Sequence, residues 1–267
     1  WMANSKSLWR ANPLSQQVEH VHTFLDLSEA EQNNWYENFG LVYDPNQDVL
    51  YYSHSEQIWR ISLDSTGDVG AVEQLDWIDL GPVRAVYVSL IQLQDGRLLF
   101  GSNRGLILID LDKKLTSNLR LGGFSDLDPR DVVLSLAQDE NGFVWVGTRN
   151  GLGRFRVIEN EMQLEPMGWW QKTDGLPDNT IYAIGVSDSS GVWVSTNRGL
   201  AHLETQIENP TEVDIRYFGV SDGLPFYEFN SRVITSDSTG RFFFGGVNGI
   251  AWFDPEEIQP HPRAPDV

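Results

Sequence analysis

The feature that most narrows the possible folds is a short apolar module that recurs at nearly constant spacing. Its best copy is DENGFVWVGTRNGLGRF at 139–155. Asp139-Glu140-Asn141-Gly142 is turn chemistry, an acidic acceptor followed by a Gly that tolerates positive φ. Phe143 to Gly147 is an apolar strand centred on Trp145, Asn150-Gly151 is a hairpin signal, and Leu152 opens the next strand. The module returns as GVWVSTNRGLAHL at 191–203, GRFFFGGVNGIAWF at 240–253, GRLLFGSNRGLILI at 96–109 and a worn DVLYYSHSEQIWRI at 48–61. Aligned on the strand centre, the copies fall at Trp1, Tyr51, Leu99, Trp145, Trp193 and Phe243, at intervals of 50, 48, 46, 48 and 50. Seven places on from each stands an apolar residue: Leu8, Ile58, Leu106, Leu152, Leu200 and Ile250. Periods of this size mean stacked modules.

Each period holds four apolar stretches too short for helices. A single four-stranded meander of this kind is apolar on both faces, so it folds only when leaning on copies of itself. The spacing therefore predicts an all-β chain of β-propeller blades, each of four antiparallel strands. Full blades are expected at about 36–80, 83–125, 130–173 and 179–219, with partial blades at 1–30 and 229–254 and an incomplete ring. The fourth strands are expected at Gln74 to Trp77, Leu119 to Leu121, Met167 to Gln171 and Ile215 to Phe218. Ser28 to Asn34 carries a capping-box pattern for one helical turn. Residues 259–267, with three Pro, read as an exit linker.

Composition excludes several functions. The net charge is -19, which disfavours nucleic acid, because binding phosphates needs clustered Lys and Arg. No Cys is present, so there are no zinc-thiolate sites and no disulfides. No run of 18 apolar residues occurs, so no transmembrane helix is expected. Trp1 falls in mid-repeat, which suggests a piece of a longer protein.

The pattern D-x-x-G-x-x-W-V-G-T-x-x-G-L, preceded by a GLP-type loop, resembles the two-component regulator propeller repeat. Asp139 to Leu152 matches best, Thr180 to Leu200 follows with Ser195 where Gly is usual, and the resemblance runs from residue 1 to about 258. Gly223 to Asn230 (GLPFYEFN), Phe244 to Ile250 and Phe253-Asp254-Pro255 resemble the closing blade of such sensors. The resemblance implies an extracytoplasmic, periplasmic or extracellular, sensor region of a membrane-anchored receptor. It further implies an absent N-terminal propeller part, an immunoglobulin-like domain beyond 259–267, and a histidine kinase or diguanylate cyclase output.

In such a blade, loops from fourth to first strand and from second to third strand share one face. That face gathers Asp126, Arg130, Asp174, Asp178, Asn179, Asp222 and Glu228 with Arg104, Arg149 and Arg198. Tyr182 and Tyr227 offer stacking surfaces. The set suits a polar ligand such as an oligosaccharide; the competing reading is turn chemistry alone. Asp139, Asp188 and Asp237 fall on the opposite face and read as turn residues. His20 and His22 share a strand face, but no third metal ligand is visible, so neither metal nor cofactor is expected. No catalytic motif appears. A non-catalytic ligand sensor is the favoured function. A propeller lyase or hydrolase, with His202 as the residue to test, and a protein-binding scaffold that forms dimers are the alternatives.

Overall fold

The computed structural model describes residues 2–3, 7–12, 17–23, 39–54, 57–80, 89–103, 105–119, 121, 132–187, 191–205 and 213–258. It is an all-β structure of propeller blades. The first sheet has three strands, β1 (Met2–Ala3), β2 (Ser7–Asn12) and β3 (Gln17–Thr23). The second has four, β4 (Phe39–Asp44), β5 (Val49–His54), β6 (Gln57–Leu63) and β7 (Val69–Gln74). The third is β8 (Ser89–Gln92), β9 (Leu98–Ser102), β10 (Gly105–Asp110) and β11 (Leu115–Leu119). The fourth is β12 (Val133–Gln138), β13 (Phe143–Thr148), β14 (Gly151–Val157) and β15 (Leu164–Trp170). The fifth is β16 (Ala183–Ser187), β17 (Gly191–Thr196), β18 (Gly199–Thr205) and β19 (Val213–Phe218). The last has three, β20 (Phe229–Ser236), β21 (Phe242–Gly246) and β22 (Gly249–Phe253). Helix among the described residues is confined to two 3-10 turns, Lys172–Asp174 and Val220–Asp222. The helical turn expected at Ser28 to Asn34 lies outside the described residues.

The fourth strands begin earlier than expected. β7 starts at Val69 rather than Gln74, because Asp64 closes a tight turn by accepting from the Thr66 and Asp68 amides at 2.8 and 3.0 Å. β11 starts at Leu115, just after Asp110 has accepted from the Lys113 amide at 2.9 Å. These outermost strands are half-exposed, so they need no run of apolar residues.

Two compact units make up the chain, Trp1–Leu136 with Arg156–Pro166, and Ala137–Phe155 with Met167–Val267. In the first unit the alternation of the strand decides the packing. Leu50 and Tyr52 of β5 point to one side, where they bury Leu8 of β2 with Ile61. Val49 and Tyr51 point to the other, into a cluster with Ile58, Leu98, Phe100, Ile107 and Ile109. Burying one such side chain fully contributes about 1.5–3 kcal/mol. The first strands of neighbouring sheets run close together: a Cβ on Gly40 would lie 2.7 Å from Leu90 Cβ. At their ends the Gln92 amide donates to Asp44 Oδ2 at 2.7 Å.

The second unit repeats the scheme. Trp145 and Leu152 pack with Ile184, Val194 and Ala201 of the next sheet. Trp193 and Leu200 pack with Phe242, Phe244 and Ala251 of the one after. Phe253 meets Trp193 at a centroid distance of 4.6 Å. The turn before β13 is closed by two backbone bonds, Asp139 N to Phe143 O and Gly142 N to Asp139 O, and the same pair recurs at Asp237, Gly240 and Arg241. The side chains of both Asp residues also accept from turn amides, at 2.9 Å in each case.

Candidate functional site

The second unit contains most of the loops that the sequence places on one face. Two hairpins, β13–β14 and β17–β18, are built alike. The Thr148 hydroxyl accepts from the Asn150 amide at 2.9 Å and donates to the Gly151 carbonyl at 3.0 Å. Thr196 does the same for Arg198 and Gly199, at 3.0 and 2.9 Å. Gly151 takes a φ of 128°, and a Cβ there would stand 2.6 Å from the Trp170 carbonyl oxygen. This construction leaves the side chains of Arg149 and Arg198 exposed at the hairpin tips.

The two GLP-type loops are also alike, and they consume the acidic residues. Asp174 Oδ2 accepts from the Gln171 amide at 2.8 Å, and Asp222 Oδ2 from the Gly219 amide at 2.8 Å. Each thereby closes a one-turn 3-10 segment that ends at a left-handed Gly, Gly175 or Gly223. Asp178 accepts from the Thr180 amide, and the Asn179 side chain from the Lys172 amide, both at 2.8 Å. Four of the expected ligand-binding residues thus hold loop backbone.

The loops are tied to the hairpins. The Gly151 amide donates to the Asn179 carbonyl at 2.7 Å, and the Gly199 amide to the Tyr227 carbonyl at 2.8 Å. Tyr182 donates its hydroxyl to Asn197 Oδ1 at 2.8 Å. Tyr227 and Glu228 are exposed. Tyr217 of β19, not singled out in the sequence, joins this neighbourhood. Its hydroxyl is raised above the ordinary tyrosine value by burial, then by Tyr227 and Asp222, and is drawn back by Arg198. Tyr227, Asp222 and Arg198 therefore all lie near the Tyr217 hydroxyl. Tyr217 was legible only as a strand residue, because its role depends on the loop that follows it. Arg104, Asp126 and Arg130 lie outside the described residues.

A second concavity, in the first unit, was not foreseen. It has a volume of about 550 Å³ and is lined by Tyr51, Arg60, Glu73, Trp77, Asp112, Lys114 and Glu159 among others. Arg97, almost fully buried at its edge, reaches the carbonyls of Glu161 and Ile158 and pairs with Asp95 at 2.5 Å. Hydrogen bonding by the Lys113 amide, against some desolvation, holds Asp110 below the usual carboxylate range.

Among the described residues no three His, Asp or Glu side chains gather as metal ligands. The His22 side chain lies outside the described residues, while His20 meets Trp9 edge-on at 6.0 Å. His202 is buried and stacks on Trp193 at 4.4 Å, with Glu204 3.9 Å from Nδ1. It serves packing between strands rather than an open cleft.

Residues 127–150 match the family model described as two component regulator propeller. The chain thus carries a repeat of that family. The histidine kinase P4 of Formosa agariphila is 27% identical over 94 residues, 35% of this chain and 6% of that protein. Among solved structures, the extracellular domain assigned to a hybrid two component system of B. thetaiotaomicron matches with a TM-score of 0.64 and 20% identity, over 90% of this chain and 31% of that one. Virginiamycin B lyase of Staphylococcus aureus matches with a TM-score of 0.55 and 15% identity, over 84% of this chain and 71% of that one. At these identities the structural matches speak for the fold. The chain spans under a tenth of the curated relative's length. No helix among the described residues is long and apolar enough to cross a membrane.

Proposed function

We propose that this chain is the ligand-sensing part of an extracytoplasmic receptor, and that it binds without catalysing a reaction. The ligand is polar, of the oligosaccharide class, and it lies on the face formed by the GLP-type loops. Arg198, Tyr217 and Tyr227 form the centre of the site, with Arg149, Tyr182 and Glu228 around them. The observation that carries this reading is the division of labour among the loops. Asp174, Asp178, Asn179 and Asp222 hold backbone, while two tyrosines half-exposed beside an exposed arginine are left facing outward. Sugars are recognised by such pairings of a flat apolar ring with hydrogen-bonding groups.

The kinship with two component regulator repeats and with the extracellular domain of a sensor system supports a receptor setting on the outer side of a membrane. A histidine kinase or diguanylate cyclase would read the bound state from elsewhere in the same protein. The test is a melting-temperature screen of the chain against a glycan panel, with product analysis by mass spectrometry. A ligand that raises the melting temperature and is recovered unchanged supports the reading, and turnover of any panel member refutes it.

A further inference from the structure

Nine places after the strand centre, the four-stranded sheets carry different residues. In the third sheet the place is held by Leu108, fully buried. In the fourth it is Arg154, 2% exposed, which lies over the Trp145 ring at 5.1 Å and stands 3.7 Å from the Asp139 carboxylate. In the fifth it is His202, buried and stacked on Trp193 at 4.4 Å. In the second it is Arg60, which is only half-buried and lines the 550 Å³ concavity. Its Nη1 donates to Ser62 Oγ at 3.3 Å, but among the described residues it forms no ion pair. The second sheet thus keeps the arginine of the fourth without the carboxylate that answers it there.

The concavity lies wholly within the first unit. Tyr51, Arg60 and Glu73 are in register across β5, β6 and β7, so their side chains rise from one side of the sheet. Burial raises the Tyr51 hydroxyl above the ordinary tyrosine value and Arg60 draws it back, which puts the guanidinium beside that hydroxyl. Part of the charged lining is spent on structure. Arg97 pairs with Asp95 and holds two carbonyls of the β14–β15 turn, and Lys113 pairs with Asp110 at 2.9 Å. Arg60 and Lys114 are left on the cationic side, and Glu73, Asp112 and Glu159 on the acidic side, with no salt bridge to any of them among the described residues.

Both signs of charge are therefore unspent, and a ligand bearing one sign alone would answer only half of them. Cross-strand neighbours such as Arg60 and Glu73 have Cβ atoms about 5 Å apart, which suits a carboxylate and an ammonium carried on one carbon. Leu75 and Trp77 pack against the core cluster of this unit and give the concavity an apolar wall. Its volume is that of a small-molecule site, with room for an aromatic side chain.

We propose that this concavity binds a free α-amino acid with an apolar side chain, Arg60 taking the carboxylate, Glu73 the ammonium and Trp77 the side chain. The site is separate from the ligand face proposed above and does not depend on it.

The test is calorimetric titration of the whole chain at neutral pH with L-phenylalanine and with L-leucine. Saturable 1:1 binding is expected. N-acetyl-L-phenylalanine and L-phenylalanine amide each lack one of the two charges and are expected to bind at least about tenfold more weakly. Arg60→Gln and, separately, Glu73→Gln are each expected to weaken binding by at least about tenfold. Glu73 is exposed, so its variant reports on the site should Arg60→Gln melt early. Arg198→Ala, in the second unit, is expected to leave amino-acid binding unchanged. No saturation by either amino acid up to about 10 mM overturns the proposal. Binding that survives both glutamine variants also overturns it, as does D-galacturonate binding more tightly than the amino acids, which would make the concavity a site for acidic sugars.

Discussion

The buried carboxylate of Asp139 accepts the indole N–H of Trp145 at 2.8 Å, and the buried guanidinium of Arg154 stands 3.7 Å from the same oxygen. Arg154 also lies over the Phe143 ring at 3.9 Å. Burial lowers the guanidinium's proton affinity, and Asp139 restores part of it. Asp139→Ala strands a buried cation and an indole donor together, so a loss of about 3 kcal/mol is expected in urea denaturation. Asp139→Asn keeps an acceptor and is expected to lose less.

Trp193 holds the equivalent position one sheet later, but among the described residues its N–H has no partner. In sequence, Gly191 stands two places before Trp193, where Gly142 stands three before Trp145. Both rings are buried. Trp145→Phe is therefore expected to cost about 1 kcal/mol more than Trp193→Phe, the worth of one hydrogen bond. Equal losses in the two variants would count against this account.

Gly151 and Gly96 separate two reasons for a glycine. Both have positive φ, but a Cβ at Gly151 meets the Trp170 carbonyl, whereas at Gly96 it meets nothing within 4 Å. Gly96→Ala is expected to cost about 1 kcal/mol, for backbone conformation alone. Gly151→Ala adds a clash against main chain and is expected to cost about 3 kcal/mol. Denaturation midpoints at constant slope measure both.

The turn aspartates make stability fall in acid. Asp64, Asp110 and Asp237 all lie below the usual value of 3.8, held by the Thr66 hydroxyl, the Lys113 amide and the Thr239 hydroxyl respectively. Their folded values are depressed, so their contribution is complete above 3.8 and is lost as pH falls through the lower folded values. Melting temperature is expected to fall below about pH 4 on this account. Asp110→Asn, which does not titrate, is expected to show a shallower decline.

Within the proposed ligand face, Arg198→Ala and Tyr227→Ala change exposed side chains that hold no loop backbone. Each is expected to weaken glycan binding by at least about tenfold while moving stability by no more than about 0.5 kcal/mol. Asp222→Ala is expected to do the reverse in the first instance, because it releases the Gly219 amide. Paired calorimetric titration and melting curves distinguish the two patterns.

The repeat was legible because burial on both faces of each sheet demands a tryptophan-like residue at one spacing and an aliphatic one seven places on. The outermost strands were less legible, since Leu115-Thr116-Ser117-Asn118-Leu119 is half-exposed and has no reason to alternate. For the site, residue type misled where one side chain suits two tasks. Asp174 and Asp222 look equally apt for a ligand and for a loop amide, and only the 2.8 Å bonds show which partner they serve. The 550 Å³ concavity was hidden for another reason, because it is assembled from residues distant along the chain.

The bond from Gln92 to Asp44 joins residues 48 apart, nearly the period of the repeat. A segment of one full period, cut out or copied in, returns each inner strand to a neighbour of the same kind. A segment of any other length leaves the strands on either side of the join out of phase. Growth and shrinkage of such a chain in evolution are therefore quantised, and its length should change among its descendants in whole blades.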